Sequence, residues 1–175
     1  LARFGLESDG YVTVVISAMQ KEGYYTPDRE TYLRRWQEIV EGLLDLPEMA
    51  GRKVCLLAHT FSKHYGEERD YIAELVTRLT PERMARVVPV TERVLQTRAR
   101  FILGNGLMTL TGRMHPAVST FQMGKPAITH AYSAKYEGVI GTMLGRSDLI
   151  LAANDPALWA SGEIVGVTLA KAAET

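Results

Sequence analysis

The sequence predicts an α/β fold, with a mostly parallel central sheet and helices packed on both of its faces. Three observations predict it. Short apolar runs rich in β-branched residues recur along the chain, as in Tyr11–Ala18 and Lys53–His59, and read as buried strands. Between them stand longer stretches whose apolar residues follow helical spacing. No linker, internal repeat or low-complexity tract interrupts the alternation. Strands that alternate with helical stretches of about ten residues or more specify parallel pairing, because each crossover must carry the chain back along the sheet. The 175 residues, 46 % hydrophobic and 23 % charged, suffice for one domain with a sizeable core and are short for two.

The elements follow in order. After the opening strand, Thr26-Pro27-Asp28 supplies cap and first-turn chemistry for a helix over Arg29–Leu46. Tyr32, Leu33, Trp36, Ile39, Val40, Leu43 and Leu44 form its apolar face, and Pro47 and Gly51 end it. Lys53–His59 is the next strand. Beyond a turn at Gly66, Glu67–Leu79 carries a second amphipathic pattern through Tyr71, Ile72, Leu75, Val76 and Leu79. Arg86–Val90 reads as a third strand and Glu92–Leu103 as a third helix, running into Gly104-Asn105-Gly106. Leu107–Thr111 and Ala127–Ala131 are strands, each followed by a helix. Leu149–Ala152 is a last short strand before helical Pro156–Ala160 and a final helix from Gly162. This succession is that of a Rossmann-like three-layer sandwich over residues 1–175. Such sheets bind ligands beyond the carboxyl ends of the strands, where the strand order reverses.

Composition excludes several classes. Twenty basic residues balance twenty acidic ones, so no global field recruits nucleic acid or an anionic membrane. No run of about 18 apolar residues is present. The single cysteine, Cys55, rules out an internal disulfide and a cysteine-rich metal site and fits a reducing, cytoplasmic compartment. The expectation is of no metal and no cofactor. No GxxxxGK[ST] or GxGxxG follows a strand, and no HExxH, CxxC or GxSxG is found. The seven methionines are scattered as core filler.

Candidate chemistry concentrates in Thr109–Gly145, where Arg113, His115 and Lys135 stand at two turns that open helices. A cation beside a helix N-terminus makes an anion site, because free N–H groups and the helix dipole point to the same spot. Gly112 lets backbone approach a ligand, and Pro116 suits a first helical turn. Arg113 can hold a carboxylate or phosphate bidentately, and His115 can donate a proton or bind an anion. The structural alternatives are a surface arginine and a helix-capping histidine. His59, with Asp70 opening the next helix, is a second candidate, set against a partly buried histidine bonded to backbone. His64 reads as solvated and His130 as packed within its strand. Lys135 can reach a phosphate from the first turn after Tyr132-Ser133, or simply be a surface charge.

Together these residues resemble the polysaccharide pyruvyl transferase family. Its recognisable stretch is a strand ending in R-x-H, a helix with small and apolar residues, a G-x-P before the next strand, then tyrosine and lysine. Arg113-Met114-His115, Ala117–Met123, Gly124-Lys125-Pro126, and Tyr132 with Lys135 and Gly138 look similar to those parts. His59 and Asp70 resemble a second family feature. After its opening strand many members carry an arginine, where this chain offers only Lys21.

The resemblance implies a GT-B-like enzyme of two Rossmann-like domains, with this chain as the C-terminal one. It implies transfer of the pyruvyl group of phosphoenolpyruvate to a sugar hydroxyl of a cell-surface polysaccharide or its lipid-linked precursor. Arg113 and His115 then inherit the catalytic, donor-binding role, with His59, Gly112, Tyr132, Ser133 and Lys135 lining the same crevice. An N-terminal domain would complete the site, at the inner face of the membrane or free of it, and a homo-oligomer stays open. The start at Leu1, without methionine, fits such a fragment. The principal alternative is the sugar-nucleotide domain of a GT-B glycosyltransferase or epimerase, with Glu137 gripping ribose hydroxyls. A non-catalytic interaction module is the third reading, and it expects no affinity for small phosphorylated ligands.

Overall fold

A computed structural model describes residues 1–19, 24–62 and 66–175. Lys21 and His64 lie outside them. Eight strands and seven α-helices are described: β1 (Tyr11–Val15), α1 (Arg29–Asp45), β2 (Lys53–Leu57), β3 (Phe61–Ser62), β4 (Gly66–Glu67), α2 (Glu68–Arg78), α3 (Pro81–Met84), β5 (Val87–Val90), α4 (Gln96–Asn105), β6 (Thr109–Thr111), α5 (Met114–Gln122), β7 (Ala127–Ala131), β8 (Ile150–Ala152), α6 (Pro156–Ser161) and α7 (Glu163–Glu174). Six strands form one parallel sheet in the order β5-β2-β1-β6-β7-β8, and β3 and β4 form a small hairpin. The order reverses between β1 and β6, as in a doubly wound Rossmann sheet.

The period of two along the strands divides the core. Val12, Val14, Ile16, Val54 and Leu56 pack with Tyr32, Trp36, Leu43, Ile72, Trp159 and Ile164 of α1, α2, α6 and α7 on one face. Tyr11, Val15, Cys55 and Leu57 point the other way, onto Ile102 and Leu103 of α4. Ala117 of α5 joins Ala127, Ala131, Tyr136 and Ile140 beside them. Helices therefore cover both faces, as the alternation of the sequence requires. The Asp28 side chain accepts the Glu30 N–H at 3.0 Å and the Thr31 hydroxyl at 2.6 Å, which caps α1 at the expected place.

The elements depart from the expected ones at several points. The opening strand stops at Val15, because its partner β6 ends at Thr111. The second stops at Leu57, where Ala58 onward turns toward α2. The third helix begins at Gln96 and not at Glu92, since Glu92 reaches Arg3 at 2.8 Å and Leu95 is extended. The helix after Lys135 is a π-helix over Glu137–Met143. Within it Glu137 folds across the bare backbone of Gly141 to accept the Ser147 hydroxyl at 2.5 Å.

Candidate functional site

Three chain exits surround the reversal point of the sheet: Ala58–Thr60 after β2, Gly112–His115 after β6, and Tyr132–Lys135 after β7. A buried carboxylate ties the first two together. Glu68, fully buried, accepts the backbone N–H groups of His59 at 2.7 Å and Thr60 at 2.8 Å. Its other oxygen accepts Nε of Arg113 at 2.7 Å. The Arg113 side chain is 14 % exposed, and its Nη2 is buried with no hydrogen-bond partner among the described residues. Burial pushes the Glu68 carboxyl upward, and the Arg113 guanidinium and the two N–H groups pull it back. One edge of Arg113 is thus committed to the protein while the rest of the fork is unspent.

Arg113 also precedes α5. Its own N–H donates to Thr111 Oγ1 at 2.8 Å, which turns the chain into the helix. No side chain caps α5, and Pro116 brings no N–H of its own. The free N–H groups at the helix start are those of Met114 and His115, and the His115 side chain is exposed there. This is the geometry of an anion-accepting helix end.

Gly112 holds the turn together from behind. A Cβ there would meet the Tyr25 hydroxyl at 2.9 Å and Ser17 Cβ at 3.0 Å. Its carbonyl accepts the hydroxyls of Tyr25 at 2.6 Å and Tyr136 at 3.0 Å. The room at this glycine is used by the exit of β1 and by two tyrosines. Gly112 is buried, and the side on which a Cβ would stand is filled by protein.

A cavity of about 630 Å³ adjoins the α5 N-terminus, between α4, α5 and the β2 exit. His59, His115, Arg93, Arg100, Gln96 and Ser119 are among the side chains that line it, and among the described residues no carboxylate does. Arg93 lies over the Phe61 ring at 5.3 Å. Burial, aided by the nearby charges of Arg113 and His115, holds His59 down to about 4, so it is neutral at neutral pH. His59 is therefore a hydrogen-bonding wall of the cavity and not a fixed cation.

The residues after β7 form a separate group. Tyr132 is half-buried against Tyr24, Tyr25 and Tyr136, with ring centroids 4.7, 5.6 and 5.3 Å away. Ser133 and Glu137 line a small pocket of about 260 Å³ with Tyr136 and Asn154. Lys135 is exposed on the first turn beyond β7. The structure brings His59, Arg113 and His115 together and sets Tyr132, Ser133 and Lys135 on the adjoining exit. His130 is packed in the core: Nε2 lies 2.8 Å from the Thr168 hydroxyl, and burial holds the ring down to about 3.

Asp70, the expected acidic partner, is exposed and makes no contact with His59; Glu68 takes that place. The spacing contains the signal. Glu68 precedes Tyr71, Ile72 and Leu75 by three, four and seven residues, so it continues the apolar stripe of α2 inward. A carboxylate on that stripe must find donors. Arg93, Arg100 and Tyr25 carry no signal in the sequence, since only the packing of α4 beside α5 and of Tyr25 beneath Gly112 gives them a role. Among the described residues no group of His, Cys, Asp and Glu side chains is placed to hold a metal, and no helix is long and apolar enough to cross a membrane.

The fold defines a class. Escherichia coli heptosyltransferase WaaC with ADP-2-deoxy-2-fluoro heptose superposes with a TM-score of 0.60 at 16 % identity, covering 96 % of this chain and 45 % of that one. Methanocaldococcus jannaschii UDP-GlcNAc 2-epimerase, in complex with UDP-GlcNAc and UDP, gives 0.51 at 16 %, over 94 % and 40 %. A UDP-forming alpha,alpha-trehalose-phosphate synthase from Burkholderia xenovorans gives 0.53 at 12 %, over 99 % and 40 %. No family model and no curated protein sequence matches. At these identities the likeness is one of fold: a Rossmann-like α/β domain of the kind found in GT-B proteins. The chain spans less than half the length of each of these structures.

Proposed function

We propose that this chain is the donor-binding domain of a two-domain GT-B-type enzyme that uses a nucleotide-linked sugar. The observation that carries the reading is the Glu68–Arg113 clamp, which sets an uncapped helix start and a partly unspent guanidinium beside a cavity walled by His59, His115, Arg93 and Arg100. In this reading the diphosphate sits on the Met114 and His115 N–H groups, beside the Arg113 guanidinium. The nucleoside occupies the cavity, whose volume suits a ligand of that size. The sugar extends over Tyr132, Ser133 and Lys135. Fixed donors at the phosphates stabilise the negative charge that grows as the nucleoside diphosphate departs. The structures cited above support the nucleotide sugar as ligand class, because two of them hold a nucleotide-linked sugar.

Pyruvyl transfer from phosphoenolpyruvate is the second reading, favoured by the Arg113-x-His115 motif itself. It uses the same anion site, with a histidine to protonate the enol carbon, but gives the cavity beyond it no occupant. In either case the acceptor is a glycan or a lipid-linked sugar, and a partner domain completes the site.

Calorimetric titration with ADP, UDP and phosphoenolpyruvate separates these readings. Nucleotide binding is expected, and Arg113→Ala should weaken it by about 1.5–3 kcal/mol, the range for a hydrogen bond to a charged group. Unchanged affinity in a folded Arg113→Ala protein would remove the site assignment. Binding of phosphoenolpyruvate alone would favour the pyruvyl reading, and no binding of any of the three would favour a non-catalytic module.

A further inference from the structure

One face of the sheet has a surface character that the neutral whole-chain charge conceals. From Arg93 to Tyr136 the sequence contains no Asp or Glu, although twenty occur in the chain. That stretch builds α4 and α5, which pack side by side. Arg93, just before α4, and Arg98 and Arg100 within it are exposed. Two carboxylates border them: Glu92 is engaged by Arg3 at 2.8 Å, and Asp9, whose backbone N–H donates to the Asn105 carbonyl at the end of α4, is engaged by Lys125 at 2.6 Å. The same stretch displays large apolar side chains: Leu95 is 69 % exposed, Phe101 51 % and Met123 43 %. Met123, from the end of α5, lies over Gly104, one turn beyond Phe101.

We propose that the α4–α5 face docks onto an anionic lipid surface, with Leu95, Phe101 and Met123 entering the headgroup layer and the three arginines meeting lipid phosphates. Exposed apolar side chains interspersed with arginines, with the bordering carboxylates Glu92 and Asp9 both ion-paired, are complementary to that surface. A second copy of the chain would bring the same cations against each other, which opposes self-association through this face. Two of these arginines, Arg93 and Arg100, also line the cavity beside α5. Docking therefore carries the cavity mouth to the lipid headgroups. The inference stands on the surface alone and does not depend on the ligand assigned to the cavity.

Co-sedimentation with phosphatidylcholine vesicles, with and without phosphatidylglycerol, tests it. The chain should sediment with the anionic vesicles at low salt, and this binding should fall as salt rises. Arg98→Gln, which leaves the cavity lining untouched, should weaken it about fivefold, the weight of one arginine near a charged bilayer. Leu95→Ser with Phe101→Ser should weaken it about tenfold, in proportion to the apolar area withdrawn. Matching thermal melts establish that the variants are folded. Equal sedimentation with both vesicle types, no sedimentation, or folded variants that bind like the parent would each overturn the proposal, as would a dimer that the double variant dissolves.

Discussion

Glu68 is the residue on which the geometry of the site turns. It is a carboxylate with no exposed surface, and each of its oxygens is engaged by a donor on a different chain exit. Removing one member of a buried pair leaves the other charge without compensation, which costs more than the pair is worth. Glu68→Ala should destabilise the fold by about 3–5 kcal/mol in denaturant unfolding. Glu68→Gln should cost less, because the amide oxygen can still accept the His59 and Thr60 N–H groups. A loss under about 1 kcal/mol for Glu68→Ala, the scale of an exposed pair, would show that Arg113 does not rely on it. The neutral His59 belongs to the same scale. Its backbone N–H is fixed by Glu68, and its ring is kept uncharged by burial beside two basic groups. The positions of His59, Arg113 and His115 after strands are legible in the sequence. Glu68 is harder to read, because acidic residues at a helix start are ordinarily solvated and here the apolar stripe carries one inside.

Among the elements, the turn from β6 into α5 is the most constrained. Gly112 is closed in by Ser17 and Tyr25, so Gly112→Ala must push apart the exits of β1 and β6. A cost of about 1–3 kcal/mol, typical of overpacking, is expected in thermal unfolding. An unchanged melting temperature would mean that the contact is slack. The strands and most helices were legible in advance, because a period of two or 3.6 in apolar residues is a direct imprint of burial. The ends were less so. Where β1 stops is decided by the length of β6, and α4 starts only after the extended backbone of Leu95. The π-helix was not legible, since Glu137, Gly141 and Ser147 acquire their mutual fit only once the chain is folded.

For the whole molecule, strand order places the chemistry. The sequence of crossovers reverses the sheet between β1 and β6, and the three exits carrying His59, Arg113 and Tyr132 gather around that point. Charge is partitioned along the chain as well, with no Asp or Glu between Arg93 and Tyr136, the stretch that builds α4 and α5. Net charge alone hid this division, because a neutral total says nothing of distribution. The cavity wall of Arg93 and Arg100 was invisible for the same reason: it exists only where α4 lies against α5. The most direct test of the account is an amide NMR titration of this chain with ADP and UDP. The account predicts that shifts centre on His59–Thr60, Met114–His115 and the start of α4, and that Arg113→Ala abolishes them at the same ligand concentration. Shifts confined to other surfaces, or an unaltered pattern in a folded Arg113→Ala protein, would contradict it.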